Sequence, residues 1–141
     1  MNTQTETVSI TPALVAEGSR VTTMASFFGR YAVMFESYVY GSMKRLAGEN
    51  QYTGGYWNFY RLSNSGFYMA PSHDQAFHLS NAENYFEGSV TPDAAGIIAS
   101  LFALGQLCNR TGIEEHIELY YALREYAHQH PERRLIFKAI D

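Results

Sequence analysis

Histidines are the first residues to consider for metal binding or acid–base chemistry, and the chain has five of them. None stands in the His-Glu-x-x-His spacing that places two imidazoles on one helical face for zinc. His128 and His130 lie two residues apart near a predicted helix end, so they cannot share one face of that helix. A histidine there interacts favourably with the helix dipole. The sequence therefore predicts no metal site and a structural role for this pair.

Patterns for nucleophilic catalysis and phosphate binding are also lacking in the sequence. The single cysteine, Cys108, lies in an apolar run, and apolar surroundings raise the pKa of a thiol. There is no Gly-x-Ser-x-Gly elbow, and Gly54-Gly55 lacks the helix and lysine of a phosphate-binding loop. We predict that the protein is not an enzyme and needs no cofactor.

One enzymatic alternative stays open at this point. His73 and Asp74 are adjacent in a predicted loop and could orient each other for acid–base chemistry. A small hydrolase or modifying enzyme could use them, or a pair of carboxylates that the fold brings together. Because such loop pairs are usually ordinary surface residues, a binding function ranks above an enzymatic one.

An aromatic hairpin is the first unusual feature that could serve binding. Strand alternation places Trp57 and Phe59 on one face, and Tyr56, Asn58 and Tyr60 on the other. One face must pack on the core, and the second is either exposed or covered by a helix. Tyrosine and tryptophan are common anchors of protein interfaces. The second face therefore suits a foreign partner, a homodimer contact or internal packing.

The C-terminal residue is the second unusual feature. Asp141 ends a predicted helix, where the helix dipole and the terminal carboxylate both disfavour another negative charge. Stability offers no reason for an acid there. Asp141 is either a frayed, solvated end or a functional residue.

The charge of the chain argues against DNA mimicry and against strong direct binding of DNA. The chain has 141 residues and a net charge of −4, from 14 acidic and 10 basic residues. A domain of this size is about 35–40 Å across, and B-DNA of that length carries about 20 negative charges. The chain is therefore no DNA mimic, and strong direct DNA binding is not expected either. A weak nucleic-acid-binding module remains an alternative, with candidate bases Arg30, Lys44, Arg45, Arg133 and Arg134.

The elements that position these residues predict an α+β fold. Residues 1–22 are polar and predict a flexible N-terminal arm, followed by a single domain over 23–141. A helix is expected from Met24 to Gly48, and glycine commonly ends helices. Short aromatic strands then predict a small antiparallel sheet of three to four strands over about residues 55–90.

The last third of the chain predicts a helical group. Thr91-Pro92-Asp93 has the composition of a helix start, and the apolar residues 94–107 predict a helix buried at the centre of the core. Thr111 with Glu114 predicts a capping box for the next helix. Pro131 precedes a short final helix.

The N-terminus resembles no signal peptide, and no run approaches the roughly 20 apolar residues of a membrane span, so we expect a cytoplasmic protein with no membrane contact.

Three segments together resemble a known family. They are GGYWNFYRLSNSGFYMAP from Gly54, TPDAAGIIASLFALGQL from Thr91 and LREYAHQHPERRLIFKAID from Leu123. Their order and spacing are similar to those of the ArdB/KlcA antirestriction proteins from Met24 to the C-terminus. One departure is Ser65, where the family often has a second glycine in the turn.

The resemblance implies a factor encoded by a plasmid or other mobile element. Such a factor relieves restriction by host type I restriction endonuclease complexes and leaves their methylation activity largely intact. The resemblance also implies a compact α+β fold, and it supplies no catalytic residues. Matching positions that could form an interaction surface are Trp57, Asn64, Gly66, Tyr68 and Asp141. Asp93 matches as well, but helix capping explains it.

Overall fold

The α+β class predicted from the sequence is confirmed in the computed structural model, which describes residues 8–48 and 51–141. Its strands are β1 (Pro12–Leu14), β2 (Trp57–Leu62), β3 (Phe67–Pro71), β4 (Phe77–Asn81) and β5 (Phe86–Val90). Its α-helices are α1 (Arg20–Phe28), α2 (Ala32–Ala47), α3 (Pro92–Thr111), α4 (Glu114–His128) and α5 (Arg133–Ile140). In this part of the chain, no helix combines the length and apolar character needed to cross a bilayer.

Helix α3 is the centre of the core, as its apolar sequence predicts. Eleven of its twenty residues are buried, so it is enclosed by other elements on most sides. The predicted helix start is confirmed as well. Thr91 is the N-cap, its hydroxyl accepts a hydrogen bond from the Ala94 amide at 3.2 Å, and Pro92 occupies the first helical position.

The strands form two separate antiparallel sheets rather than one. The first has the order β1-β2-β3, and the second contains β4 and β5. The sequence predicts strands β2 to β5, but it does not predict that they divide into two sheets. Helix α3 causes the division, because it covers the free edge of β3. The Ser100 hydroxyl accepts from the Met69 amide at 3.1 Å and donates to the Met69 carbonyl at 3.2 Å, which leaves no room for β4 on that edge.

A glycine permits this close approach of helix to strand. A β-carbon placed on Gly96 would lie 2.4 Å from the Ala70 α-carbon and 2.4 Å from the Met69 carbonyl oxygen. Both of these atoms belong to the backbone, so neither can move aside without shifting β3. The α3–β3 contact is therefore specific for glycine at position 96.

The N-terminal segment differs from the predicted flexible arm over 1–22. Residues 1–7 lie outside the described residues. From Ile10 onward the chain is anchored: Ile10 and Val15 are buried, and β1 pairs with β2. The burial of Ile10 and Val15 and the pairing of β1 with β2 hold this segment against the domain despite its polar composition. The helix expected from Met24 begins earlier, at Arg20, and is interrupted at Gly29, where φ is +53°.

The predicted capping box of α4 is wrong. Thr111 is the last residue of α3, and its hydroxyl oxygen lies 2.9 Å from the Leu107 carbonyl oxygen and 2.8 Å from His116 Nδ1. Helix α4 begins at Glu114 without a side-chain cap.

His116 is buried at the junction of α3 and α4. Its desolvation lowers the pKa of the imidazole, and the charge of Glu115 opposes this with a smaller effect.

Replacement of Gly96 by alanine is expected to lower the free energy of unfolding by about 1–3 kcal/mol or more, as overpacking does. Gly105→Ala is the matched control in the same helix, because no heavy atom beyond its chain neighbours and the adjoining helix backbone lies within 4 Å of its added β-carbon. There the better helix propensity of alanine should raise stability by up to ~1 kcal/mol. Urea unfolding of both variants tests this. Equal stability of the Gly96→Ala variant and the wild-type protein would contradict the close approach.

His116 is expected to make the protein less stable in mild acid. Its folded pKa lies below the unfolded value of about 6.5, so the unfolded state binds more protons and stability falls as the pH drops below that value. His116→Gln should therefore lose less stability than the wild-type protein between pH 7 and pH 5. His128→Gln, at an exposed position, is the control. An unchanged acid dependence in His116→Gln would refute the assignment.

Candidate functional site

Trp57 and Tyr68, two of the five interaction candidates, are buried. Trp57 donates from its indole nitrogen to the Tyr52 hydroxyl at 3.1 Å. Tyr68 pairs with Tyr60 across the β2–β3 ladder, so it faces the side of the hairpin opposite to Trp57. Both side chains pack inside the fold and offer almost no surface to a partner.

Asn64 and Gly66 lie together in the β2–β3 turn, against α4. The Asn64 amide donates to the Ala122 carbonyl at 2.9 Å, and its oxygen accepts from the Gly66 amide at 3.1 Å. Between them, Ser65 has a φ of +70°, which glycine adopts more easily than serine. These residues fix the hairpin on α4.

Asp141 is the candidate whose functional group is clearly presented to solvent. Its side chain is 58% exposed, and its carboxylate lies 3.6 Å from Nη1 of Arg124. Arg124 also donates to the Tyr120 hydroxyl at 3.3 Å and stacks over Phe137. An exposed pair of this kind contributes little to stability. Because Arg124 contacts both residues, Asp141 lies at the edge of the surface that includes Tyr120.

A hydrogen-bonded network that the sequence analysis missed joins three distant segments. The Tyr68 hydroxyl donates to Asp93 Oδ1 at 2.7 Å, and His130 Nε2 lies 2.8 Å from Asp93 Oδ2. His130 Nδ1 accepts from the Glu132 amide at 3.0 Å, so the imidazole proton resides on Nε2 and is donated to Asp93. No local spacing signals this network, because its members are 25 and 37 residues apart.

The electrostatics around Asp93 keep the neighbouring phenols protonated. Burial, followed by the Asp93 charge, raises the pKa of Tyr68 far above its ordinary value and raises that of Tyr60 as well. Both nitrogens of His130 are occupied, so the ring orients Asp93 and is not free to act as a base. A carboxylate held by neutral donors can bind a cation, whereas nucleophilic catalysis would also need an activated nucleophile.

The alternative pair of His73 and Asp74 lies on an exposed loop. His73 Nδ1 accepts a hydrogen bond from the Gln75 amide at 3.1 Å. Among residues 8–48 and 51–141, no three histidine, cysteine or acidic side chains are grouped in a way that could hold a metal ion. Burial raises the pKa of the Cys108 thiol, which makes it a poor nucleophile at neutral pH.

Helices α3 and α4 and the end of α5 enclose a groove of about 450 Å³, here called the α3–α4 groove. Tyr121 is 61% exposed and Ile117 is 40% exposed on its α4 side. Phe102, Tyr120 and Ile140 also line it. Arg124, paired with Asp141, bonds to Tyr120, so the exposed candidate lies at the edge of this groove.

A second apolar groove lies between α1 and α2 and has a volume of about 490 Å³. Val21 and Val33, 85% and 74% exposed, flank this α1–α2 groove. The Arg20 guanidinium lies there 4.4 Å from the ring centres of both Tyr56 and Phe59. Within residues 8–48 and 51–141, the protein therefore exposes an apolar surface in each half of the chain.

Comparisons with known proteins identify the family. Residues 50–141 match the family model described as Antirestriction protein. The chain is 40% identical to Antirestriction protein KlcA of Escherichia coli over the full length of both proteins. It is 35% identical to the putative antirestriction protein YubI of Escherichia coli strain K12, over 90% of this chain and 93% of that protein. The chain belongs to the antirestriction protein family, as the resemblance implies.

A solved structure supports the same assignment. It is 40% identical in sequence, superimposes with a TM-score of 0.87 and covers 98% of this chain and 99% of its own. That structure is described as showing the novel fold of the KlcA and ArdB proteins, with antirestriction activity against type I DNA restriction systems in vivo but not in vitro. The α3–α4 groove lies within residues 50–141, whereas most of the α1–α2 groove lies outside them.

Tyr68→Phe is expected to lower the free energy of unfolding by about 1–2 kcal/mol, because the carboxylate of Asp93 loses a partly buried, charge-assisted hydrogen bond. Tyr121→Phe, the same change at an exposed position, should stay within about 0.5 kcal/mol of the wild-type protein. Chemical denaturation measures both values. Equal effects of the two substitutions would show that the network does not stabilise the fold.

Proposed function

We propose that this protein relieves type I restriction of incoming plasmid or phage DNA by contacting the restriction enzyme, in the cytoplasm of the host, without imitating DNA. The family assignment and the activity described for the solved relative support antirestriction against type I systems. A net charge of −4 supports protein contact, since mimicry of a duplex of similar length needs about 20 negative charges.

The α3–α4 groove is the proposed contact surface, and its exposed Tyr121 is the observation that supports this choice most directly. Tyrosine is enriched among the residues that dominate binding energy at interfaces. Ile117 adds exposed apolar area beside it, and the groove lies within the segment that the family model matches. The same groove would also suit a homodimer.

The proposed contact is made with the enzyme while it works in the cell. The solved relative is described as active in vivo but not in vitro. A simple blockade of the free enzyme would operate in both settings. We therefore propose interference with a step such as DNA translocation, or a contact that needs a further cellular component.

The proposed action is not enzymatic. The polar cluster around Asp93 has a histidine with both nitrogens occupied, and it supplies a carboxylate held in place by hydrogen bonds but no nucleophile. The exposed His73–Asp74 loop shows no hydrogen bond between the two side chains within the described residues. These arrangements favour binding over the hydrolase alternative.

The plating efficiency of unmodified phage on a type I-restricting strain tests the function. Expression of the wild-type protein should raise the efficiency towards that on a non-restricting strain. The double variant Ile117→Lys/Tyr121→Lys should lower this protection at least about tenfold, since buried charges oppose an apolar contact. Val33→Lys, which places one lysine in the other groove, is the control.

Thermal unfolding must first show that both variants fold. Full protection by the double variant would exclude the α3–α4 groove as the contact surface. Loss of protection in Val33→Lys alone would transfer the contact to the α1–α2 groove. No protection by the wild-type protein would refute the proposed function itself.

A further inference from the structure

A small pocket of about 280 Å³ opens at the N-terminal end of α3, beside Asp93. Asn58 and Tyr60 line it from β2, and His73 lines it from the loop after β3. The α3–α4 groove lies on the C-terminal half of the same helix, so the two sites share no residue. The proposed contact surface does not account for this pocket.

Asp93 presents unused hydrogen-bonding capacity to the pocket. A carboxylate offers about four acceptor positions, and Tyr68 and His130 occupy one on each oxygen. Both donors are uncharged, because the phenol is protonated and His130 Nδ1 accepts a hydrogen bond. Within the described residues, no lysine or arginine forms an ion pair with Asp93, and its side chain is 39% exposed.

The helix dipole explains why an acid is tolerated here but not how it is oriented. Asp93 lies in the first turn of α3, yet its carboxylate is held by residues from β3 and from the connection between α4 and α5. Two buried donors fix the side chain in one orientation. A cation that binds a carboxylate already held in place loses less free energy to ordering than one that binds a mobile acid.

We infer that this pocket binds the guanidinium group of an arginine presented by a protein partner. Guanidinium is planar, so it can donate two hydrogen bonds to a carboxylate and stack on an aromatic ring. Asp93 supplies the carboxylate, and the Asn58 amide adds a further polar contact. Tyr60 supplies a partly exposed aromatic ring, which also stacks on the ring of Tyr68 with 4.9 Å between the centroids. That the arginine belongs to a protein rests on the proposed function, whereas the chemistry of the pocket does not.

Titration of the isotope-labelled protein with N-acetylarginine amide, followed by NMR, tests the pocket directly. The backbone amides of Ser72, His73 and Asp93 should shift in a saturable way. N-acetyllysine amide should bind several-fold more weakly, and the uncharged N-acetylcitrulline amide should produce no saturable shift. Equal binding of the lysine compound would overturn the guanidinium assignment. Equal binding of the citrulline compound, or no binding of arginine, would overturn the site.

Substitutions separate the pocket from general attraction to negative charge. Asp93→Asn should weaken arginine binding at least about tenfold, whereas Asp74→Asn, which removes the same charge from the adjoining exposed loop, should leave it unchanged. Equal losses in the two variants would overturn the proposal. Asn58→Asp retains Asp93 and its network and adds a second carboxylate to the pocket. It should strengthen binding several-fold, and no gain in this folded variant would count against the site even if Asp93→Asn fails to fold.

The titration and the phage assay can fail separately. Saturable arginine binding together with loss of phage protection in Asp93→Asn would show that the antirestriction activity depends on this pocket. Absence of arginine binding in a protein that protects phage fully would overturn this inference and leave the proposed function intact.

Discussion

The approach of helix α3 to the backbone of β3 is the contact on which the rest of the structure depends. Gly96 allows the helix to touch the strand, and Ser100 uses its hydroxyl to close the strand's free edge. The first sheet therefore ends at β3, and β4 and β5 form a sheet of their own. The same placement brings Asp93, in the first turn of the helix, to the hydroxyl of Tyr68.

Local signals in the sequence predict the elements well, because each arises from neighbouring residues. Thr91 and Pro92 mark the helix start, and alternation separates the face of β2 that carries Trp57 and Phe59 from the face that carries Asn58 and Tyr60. The division of the sheet depends on a helix more than twenty residues further along the chain, so strand patterns alone do not contain it. The anchoring of Ile10 likewise depends on Gln129, whose side chain accepts a hydrogen bond from the Ile10 amide.

The candidate site was likewise hard to predict, because its contacts join residues that lie far apart in the sequence. The family resemblance offers Trp57 and Tyr68 as interaction candidates, but both are buried residues that support the fold. The Asp93–His130 contact spans 37 residues, and helix capping gave Asp93 a sufficient local explanation. The α3–α4 groove is equally hidden in the sequence, because the exposure of Ile117 and Tyr121 follows from how α4 packs on α3. Its low content of charge fits a protein partner better than DNA.

Photo-crosslinking inside restricting cells tests the central claim, contact with the working enzyme, most directly. A photoreactive phenylalanine replaces Tyr121 at the α3–α4 groove in one protein and Val33 at the α1–α2 groove in another, and cells are irradiated during phage entry. The account predicts that the probe at position 121, and not the probe at position 33, crosslinks to a subunit of the type I enzyme. Full phage protection by the protein carrying the probe at position 121, without any crosslink to the enzyme from either position, would contradict it.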